Sequence, residues 1–177
     1  MKIRMILLLI LISIIFPAKV LSQLAVGQVA PSLSGIKILD KELPDLKDKF
    51  IFLDFWATWS TSEVKYLDHL NELALRFKPN TVFIAVSSES EVQVRSMLQS
   101  KLWFDIYFGL DVDQVYYEKF SFENIPVYYL ISPKNIILST GIANELTDVA
   151  LIALIIENDS TAYKNGTSIV ISIDSIK

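Results

Sequence analysis

The segment that most restricts the fold is Phe50-Ile51-Phe52-Leu53-Asp54-Phe55-Trp56, followed four residues later by a helical pattern. A short apolar run without alternation suits a central strand buried on both faces. From Ser60 to Phe77 the apolar residues fall at Val64, Leu67, Leu70, Leu73, Ala74 and Phe77. That spacing predicts a helix with one buried face, which Lys78-Pro79-Asn80 ends. Thr81 to Val86 reads as a second buried strand. Buried strands alternating with a helix fit an α/β sheet covered by helices on both faces.

The rest of the pattern agrees. Leu24 to Leu46 reads as a lead-in of short strands and turns, punctuated at Ala30-Pro31 and Leu43-Pro44. A helix is expected over Glu89 to Gln99, a short strand over Asp105 to Phe108 and a short helix over Gln114 to Phe120. Val127 to Ser132 and Ile136 to Thr140 read as strands joined by the turn Ser-Pro-Lys-Asn. Glu145 to Glu157 reads as the last helix. The expected architecture is a central mixed sheet with helices on both faces. Ser168 to Asp174 then alternates strictly, with Ile169, Ile171 and Ile173 on one side. That predicts an extra C-terminal strand, either packed on its own domain or exchanged with a partner or second copy.

Lys2 and Arg4 precede an apolar run from Met5 to Phe16, then Pro17 and a small-residue exit at Val20-Leu21-Ser22. This is the order of a secretory signal peptide over residues 1–22. The run falls short of the ~20 apolar residues that span a bilayer. The expected location is therefore outside the cytoplasm, periplasmic or secreted, with membrane attachment only if the segment stays uncleaved. Residues 23–177 then form one domain, its core at about 26–157 and an extension at 158–177. Without the signal, 13 basic residues face 20 acidic ones. The net charge near −7 repels a nucleic acid backbone, so no nucleic acid partner is expected. The chain has no cysteine and one histidine, His69, so no metal site and no cofactor are expected.

Phe55-Trp56-Ala57-Thr58-Trp59-Ser60-Thr61-Ser62-Glu63 resembles the active-site segment of thioredoxin-like proteins, most closely the exported TlpA/ResA-type thiol–disulfide oxidoreductases and redoxins. Their usual form is Phe-Trp-Ala-Thr-Trp-Cys-x-x-Cys. Val26 to Pro31 resembles the lead-in of that family, Leu46 to Phe50 its entry to the central strand, and Asn124 to Ile131 its cis-proline strand. The resemblance implies a thioredoxin-like fold. It also puts Ser60 at the place of the nucleophilic cysteine and Glu63 at that of the resolving one. Disulfide exchange needs a thiolate attacking sulfur and a second thiol to resolve the product. A serine hydroxyl does neither, and peroxide reduction in this fold starts from a thiolate too. The chain thus reads as a pseudoenzyme: a redox-inactive scaffold that binds a protein or peptide or has a structural role. The alternative is an accessory to a separate cysteine-bearing enzyme in thiol–disulfide or cytochrome-maturation-type redox homeostasis.

Ser60-x-x-Glu63 before an apolar helix has the form of a capping box, in which serine and glutamate satisfy each other's backbone N–H. A serine nucleophile would need a base in reach, and His69 lies ~13.5 Å along the same helix. Asp54 matches the family's buried acid. With the thiol gone it reads as a structural acid paired locally, with a lysine as one option, or as a trace of retained function. Ile125-Pro126 matches the family's cis-proline loop, which there faces the redox motif. With Trp59 and Ser60 it forms the expected peptide-binding surface; the competing reading is an inherited turn. Asp68 stands where the family helix carries a proline, so the helix here is expected to run straighter.

Overall fold

A computed structural model describes residues 23–78 and 80–158. The signal segment 1–22 and the alternating stretch 168–174 lie outside the described residues. In chain order the elements are β1 (Lys37–Ile38), β2 (Phe50–Phe55), α1 (Thr61–Phe77), β3 (Thr81–Ser87) and α2 (Glu91–Leu98). There follow β4 (Tyr107–Leu110), α3 (Val115–Phe120), β5 (Val127–Ile131), β6 (Ile137–Gly141), a 3₁₀ turn (Ala143–Glu145) and α4 (Asp148–Asn158). The six strands form one mixed sheet in the order β1-β4-β3-β2-β5-β6.

β2 sits centrally because every one of its residues is buried. It pairs parallel with β3, Asp54 opposite Ala85, and antiparallel with β5, Asp54 opposite Tyr128. Side chains of a strand alternate between faces. Phe50, Phe52 and Trp56 therefore enter one core with Leu67, Leu70 and Leu73 of α1, Val94 of α2, and Leu151 and Ile155 of α4. Ile51, Leu53 and Phe55 enter the other, with Tyr116 and Phe120 of α3 and Ala30, Leu33 and Ile36 of the lead-in. Helices thus cover both faces, as the two-sided burial of β2 requires. Full burial of such side chains contributes about 1.5–3 kcal/mol each. Two carboxyls in the layer under α1, Asp54 and Glu63, are its anomalies, both with no exposed surface.

Most boundaries differ by a residue or more from those read in the sequence, and two of the shifts have a clear cause. The short strand is displaced to Tyr107–Leu110 because pairing with β3 starts at Tyr107 opposite Ile84. Asp105 stays outside it, its carboxylate bound to Lys78 at 2.8 Å and its N–H donating to Asn71 at 3.0 Å. The last helix starts at Asp148 because Ala143–Glu145 is a separate 3₁₀ turn. The hairpin is as expected: Asn135 sits at φ 59° and its N–H donates to the Ser132 carbonyl at 2.8 Å. α1 runs without a break through Asp68, whose carboxylate accepts from the Trp103 indole N–H at 2.8 Å.

Candidate functional site

The motif lies where β2 leaves the sheet and α1 begins, at the C-terminal end of the two central parallel strands. The Trp56 N–H donates to the Val86 carbonyl at 3.0 Å, and the Ser60 N–H closes a turn on the Ala57 carbonyl at 3.1 Å. Between them Thr58 is clamped by Glu89: its N–H donates at 2.6 Å and its hydroxyl at 2.7 Å. The Ser87 hydroxyl donates to the same carboxylate at 3.1 Å. Glu89 thus fixes the loop to the end of β3. It did not stand out in the sequence, where the only signal was an acid just beyond a buried strand. The loop lifts Trp59 into solvent, 68% exposed, and leaves Ser60 nearly covered.

Ser60 and Glu63 do not form the expected capping box. Ser60 stands at the N-cap of α1 with extended backbone, but its side chain makes no capping hydrogen bond. Its hydroxyl lies 3.5 Å from that of Ser62. Glu63 cannot reach back, because its side chain is turned into the core toward Asp54. Nor does Asp54 pair with a lysine; its close neighbour is this second acid. The four carboxyl oxygens receive no bond from a backbone N–H or a cationic side chain among the described residues. Burial holds the Asp54 carboxyl well above the usual carboxylate range, and the Glu63 charge adds to the lift. Glu63 is raised too, by burial, with its hydrogen bond to Asp54 acting the other way. The two titrate as a pair. They keep a proton at a pH where a free carboxylate has lost it, so one acid can donate to the other. The buried Tyr66 phenol is pushed up first by burial and then by the same two acids.

Among the described residues no imidazole or carboxylate hydrogen-bonds to the Ser60 hydroxyl, whose neighbour is the Ser62 hydroxyl. His69 is engaged elsewhere, its Nε2 2.7 Å from Asp148, where Arg76 also bonds at 3.1 Å, so α1 is tied to α4. Among the described residues no group of three or more His, Asp or Glu is arranged to hold a metal. Among them, too, no helix is long and apolar enough to cross a membrane.

The Ile125–Pro126 peptide is cis. It borders an open cleft of about 660 Å³, whose walls include Phe122, Val127, Gly141 and Ile142. Trp59 and Ser60 are not part of that lining. Trp59, Thr61 and Ser62 are exposed, and Ile125 and Pro126 are half-buried.

A family model described as Thioredoxin-like matches residues 48–137, half of the chain. Thiol-disulfide oxidoreductase ResA of Bacillus cereus (strain ZK / E33L) is 32% identical over 99 residues, covering 52% of this chain and 54% of that protein. The chain thus spans about half the length of the curated relatives it matches. Among solved structures, the thioredoxin domain of a thiol-disulfide oxidoreductase from Bacteroides vulgatus superposes with a TM-score of 0.63 at 22% identity, over 76% of this chain and 98% of that one. The exposed lipoprotein thioredoxin of Streptococcus pneumoniae gives 0.58 at 19% identity, over 64% and 87%. At these identities the structural likeness speaks for the fold.

Proposed function

This chain belongs to the thioredoxin-like family, and from that premise we propose that it is a redox-inactive member acting outside the cytoplasm by recognition, as a protein- or peptide-binding or structural module. One observation carries the reading. The strand, loop and helix that present cysteines in this family are kept as a folded unit, clamped through Glu89, in a chain without a single cysteine. Thiolate attack on sulfur is the entry to the family's chemistry, and Ser60 offers only an alcohol that, among the described residues, is hydrogen-bonded to no imidazole or carboxylate. What the scaffold still offers is a surface: the exposed Trp59 with Ser60, Thr61 and Ser62 on one loop, and Ile125 and Pro126 on another. Aromatic side chains on rigid loops are frequent anchors of protein interfaces.

Export is supported by the basic start and apolar run of residues 2–16 and by the likeness to a pneumococcal thioredoxin described as an exposed lipoprotein. The similarity to proteins named thiol-disulfide oxidoreductase ResA favours a second reading, an accessory that holds a substrate for a separate cysteine-bearing enzyme.

The test has two arms. Insulin reduction by the purified chain is expected at background, and the Ser60→Cys, Glu63→Cys double variant is expected to rise above it. Turnover by the unmodified chain would remove the basis of the proposal. In the second arm, partners captured by the chain should be lost with a Trp59→Ala, Pro126→Ala double variant. Capture that is indifferent to this change would move the recognition surface elsewhere. A cysteine-bearing oxidoreductase among the partners would favour the accessory reading.

A further inference from the structure

A second candidate site lies at the far end of the sheet from the motif. β2, β3 and β4 are parallel, so the loop entering β4 is at the opposite end from the start of α1. A cavity of about 270 Å³ opens there, beside the segment that follows the edge strand β1. Its floor is apolar and buried: Trp103, Ile106 and Phe108. Leu98 and the 71% exposed Phe104 complete the apolar walls. An apolar cavity of about 150 Å³ holds a benzene ring, so this one takes an aromatic ring or short branched chain and one polar group.

The polar groups on the rim are mostly cationic. The Lys41 ammonium donates to the Phe104 carbonyl at 2.6 Å and lies 4.0 Å from the centre of the Tyr107 ring. It makes no ion pair among the described residues. Burial pulls its pKa down, although Asp105 and Asp40 act against that. Asp105 is bound at 2.8 Å by Lys78, and the rim acid Asp40 is bound at 2.6 Å by Arg95. Lys101, also on the rim, sits 4.9 Å from the Trp103 ring centre and reaches Asp68 at 3.3 Å. An ammonium held by a neutral carbonyl and a ring keeps free donors and lacks a full counter-charge. A carboxylate supplies both, through a charge-assisted hydrogen bond.

We propose that this cavity binds a small carboxylic acid with an apolar body, the body on Trp103, Ile106 and Phe108 and the carboxylate at Lys41. A few convergent polar groups over an apolar floor are the usual anatomy of a ligand site. The site is independent of the surface around Trp59.

Phenylacetate is the probe and phenylacetamide its neutral counterpart. The full chain is titrated with each while the indole N–H resonance of Trp103 is followed. Phenylacetate is expected to give a saturable shift with Kd of about 1 mM, and the amide to bind about tenfold more weakly. Lys41→Met should weaken the acid by about the same factor and leave the amide unchanged. Leu98→Trp, which fills the cavity, should abolish both. Equal binding of acid and amide, or full acid affinity in Lys41→Met, would overturn the proposal. So would the absence of a saturable shift at the Trp103 indole.

Discussion

Two helices of this domain open on the same pattern. Ser60-Thr61-Ser62-Glu63 starts α1, and Ser90-Glu91-Val92-Gln93 starts α2. Both serines are N-caps with extended backbone, at φ −82°, ψ 94° and φ −62°, ψ 149°. Only the second is a capping box. There the Ser90 hydroxyl accepts from the Gln93 N–H at 3.4 Å, and the Gln93 side chain accepts from the Ser90 N–H at 3.3 Å. At the first, Glu63 is buried beside Asp54 and Ser60 caps nothing. The third helical position decides the difference. Gln93 is exposed and free to fold back over the end of α2. Glu63 lies on the face of α1 that packs on the sheet, together with Tyr66, Leu67 and Leu70. A reciprocal cap contributes about 1 kcal/mol, and a position fixed by core packing overrides it.

The largest expected consequence is in the pH dependence of stability, which should have opposite signs at the two helix starts. Above the ordinary carboxylate range near 4, the unfolded chain has released the protons of Asp54 and Glu63, while the native pair still holds one. The folded state therefore binds more protons, and stability falls as pH rises, by about 1.4 kcal/mol per pH unit for one proton. The fall levels off once pH passes the raised value of the pair. No lysine or arginine is among the groups acting on Asp54 to offset this; Glu63 is its electrostatic partner. At α2, hydrogen bonds from Lys37 and then Arg95 hold Glu91 below its usual range. That contribution is lost as pH falls through the lowered value. Urea unfolding from about pH 5 to about pH 9 should show the falling limb, and the Asp54→Asn, Glu63→Gln variant should flatten it. A falling limb that persists in the variant would refute the paired-acid account.

A smaller effect is expected from making both third positions apolar. With Asp54→Val and Glu63→Leu, two carboxyls without outside partners give way to residues that suit the layer. Replacing buried ionisable groups by well-packed apolar ones is often stabilising by 1–4 kcal/mol, and about 2 kcal/mol is expected here near pH 8. Gln93→Leu should act in the other direction, losing about 0.5–1 kcal/mol with the cap. Chemical denaturation of the two variants under one set of conditions tests both signs. A destabilised apolar pair would mean that the acids are better satisfied than their burial and coupling imply.

How much of this was legible beforehand follows from the range of each interaction. The order of strands and helices could be read because period and turn chemistry are local: the unbroken run in β2, the helical spacing of apolar residues in α1 and the Ser-Pro-Lys-Asn turn. The residues at the motif were legible through the family resemblance. The Asp54–Glu63 pairing was not, although both residues were singled out. It requires knowing that the even-numbered side of β2 faces the first turn of α1, and the local Ser-x-x-Glu pattern pointed to another partner. Glu89 was missed because its bonds join three segments, the motif loop, the end of β3 and the approach to α2. The start of β4 was misplaced by two residues because Asp105 is held by Asn71 and Lys78, which lie in and just after α1.

The smallest effect isolates the caps themselves. Ser90→Ala removes the acceptor for the Gln93 N–H, and a loss of about 1 kcal/mol is expected. Ser60→Ala removes a hydroxyl that bonds to no backbone N–H and lies at a marginal 3.5 Å from Ser62. A change within about 0.5 kcal/mol is expected there. The two substitutions delete the same atom at the same helix position, so differences in helix propensity largely cancel between them. Equal losses would show that Ser60 caps α1 in solution after all. Glu63 would then have to leave Asp54 at least part of the time, and the pH limb would shrink in proportion. A loss confined to Ser90→Ala fits an α1 start held instead by the Glu89 clamp on Thr58 and by packing of its inner face. In that case Glu89→Gln should weaken the start of α1 more than Ser60→Ala does, and hydrogen exchange at the Thr58 amide reads it directly.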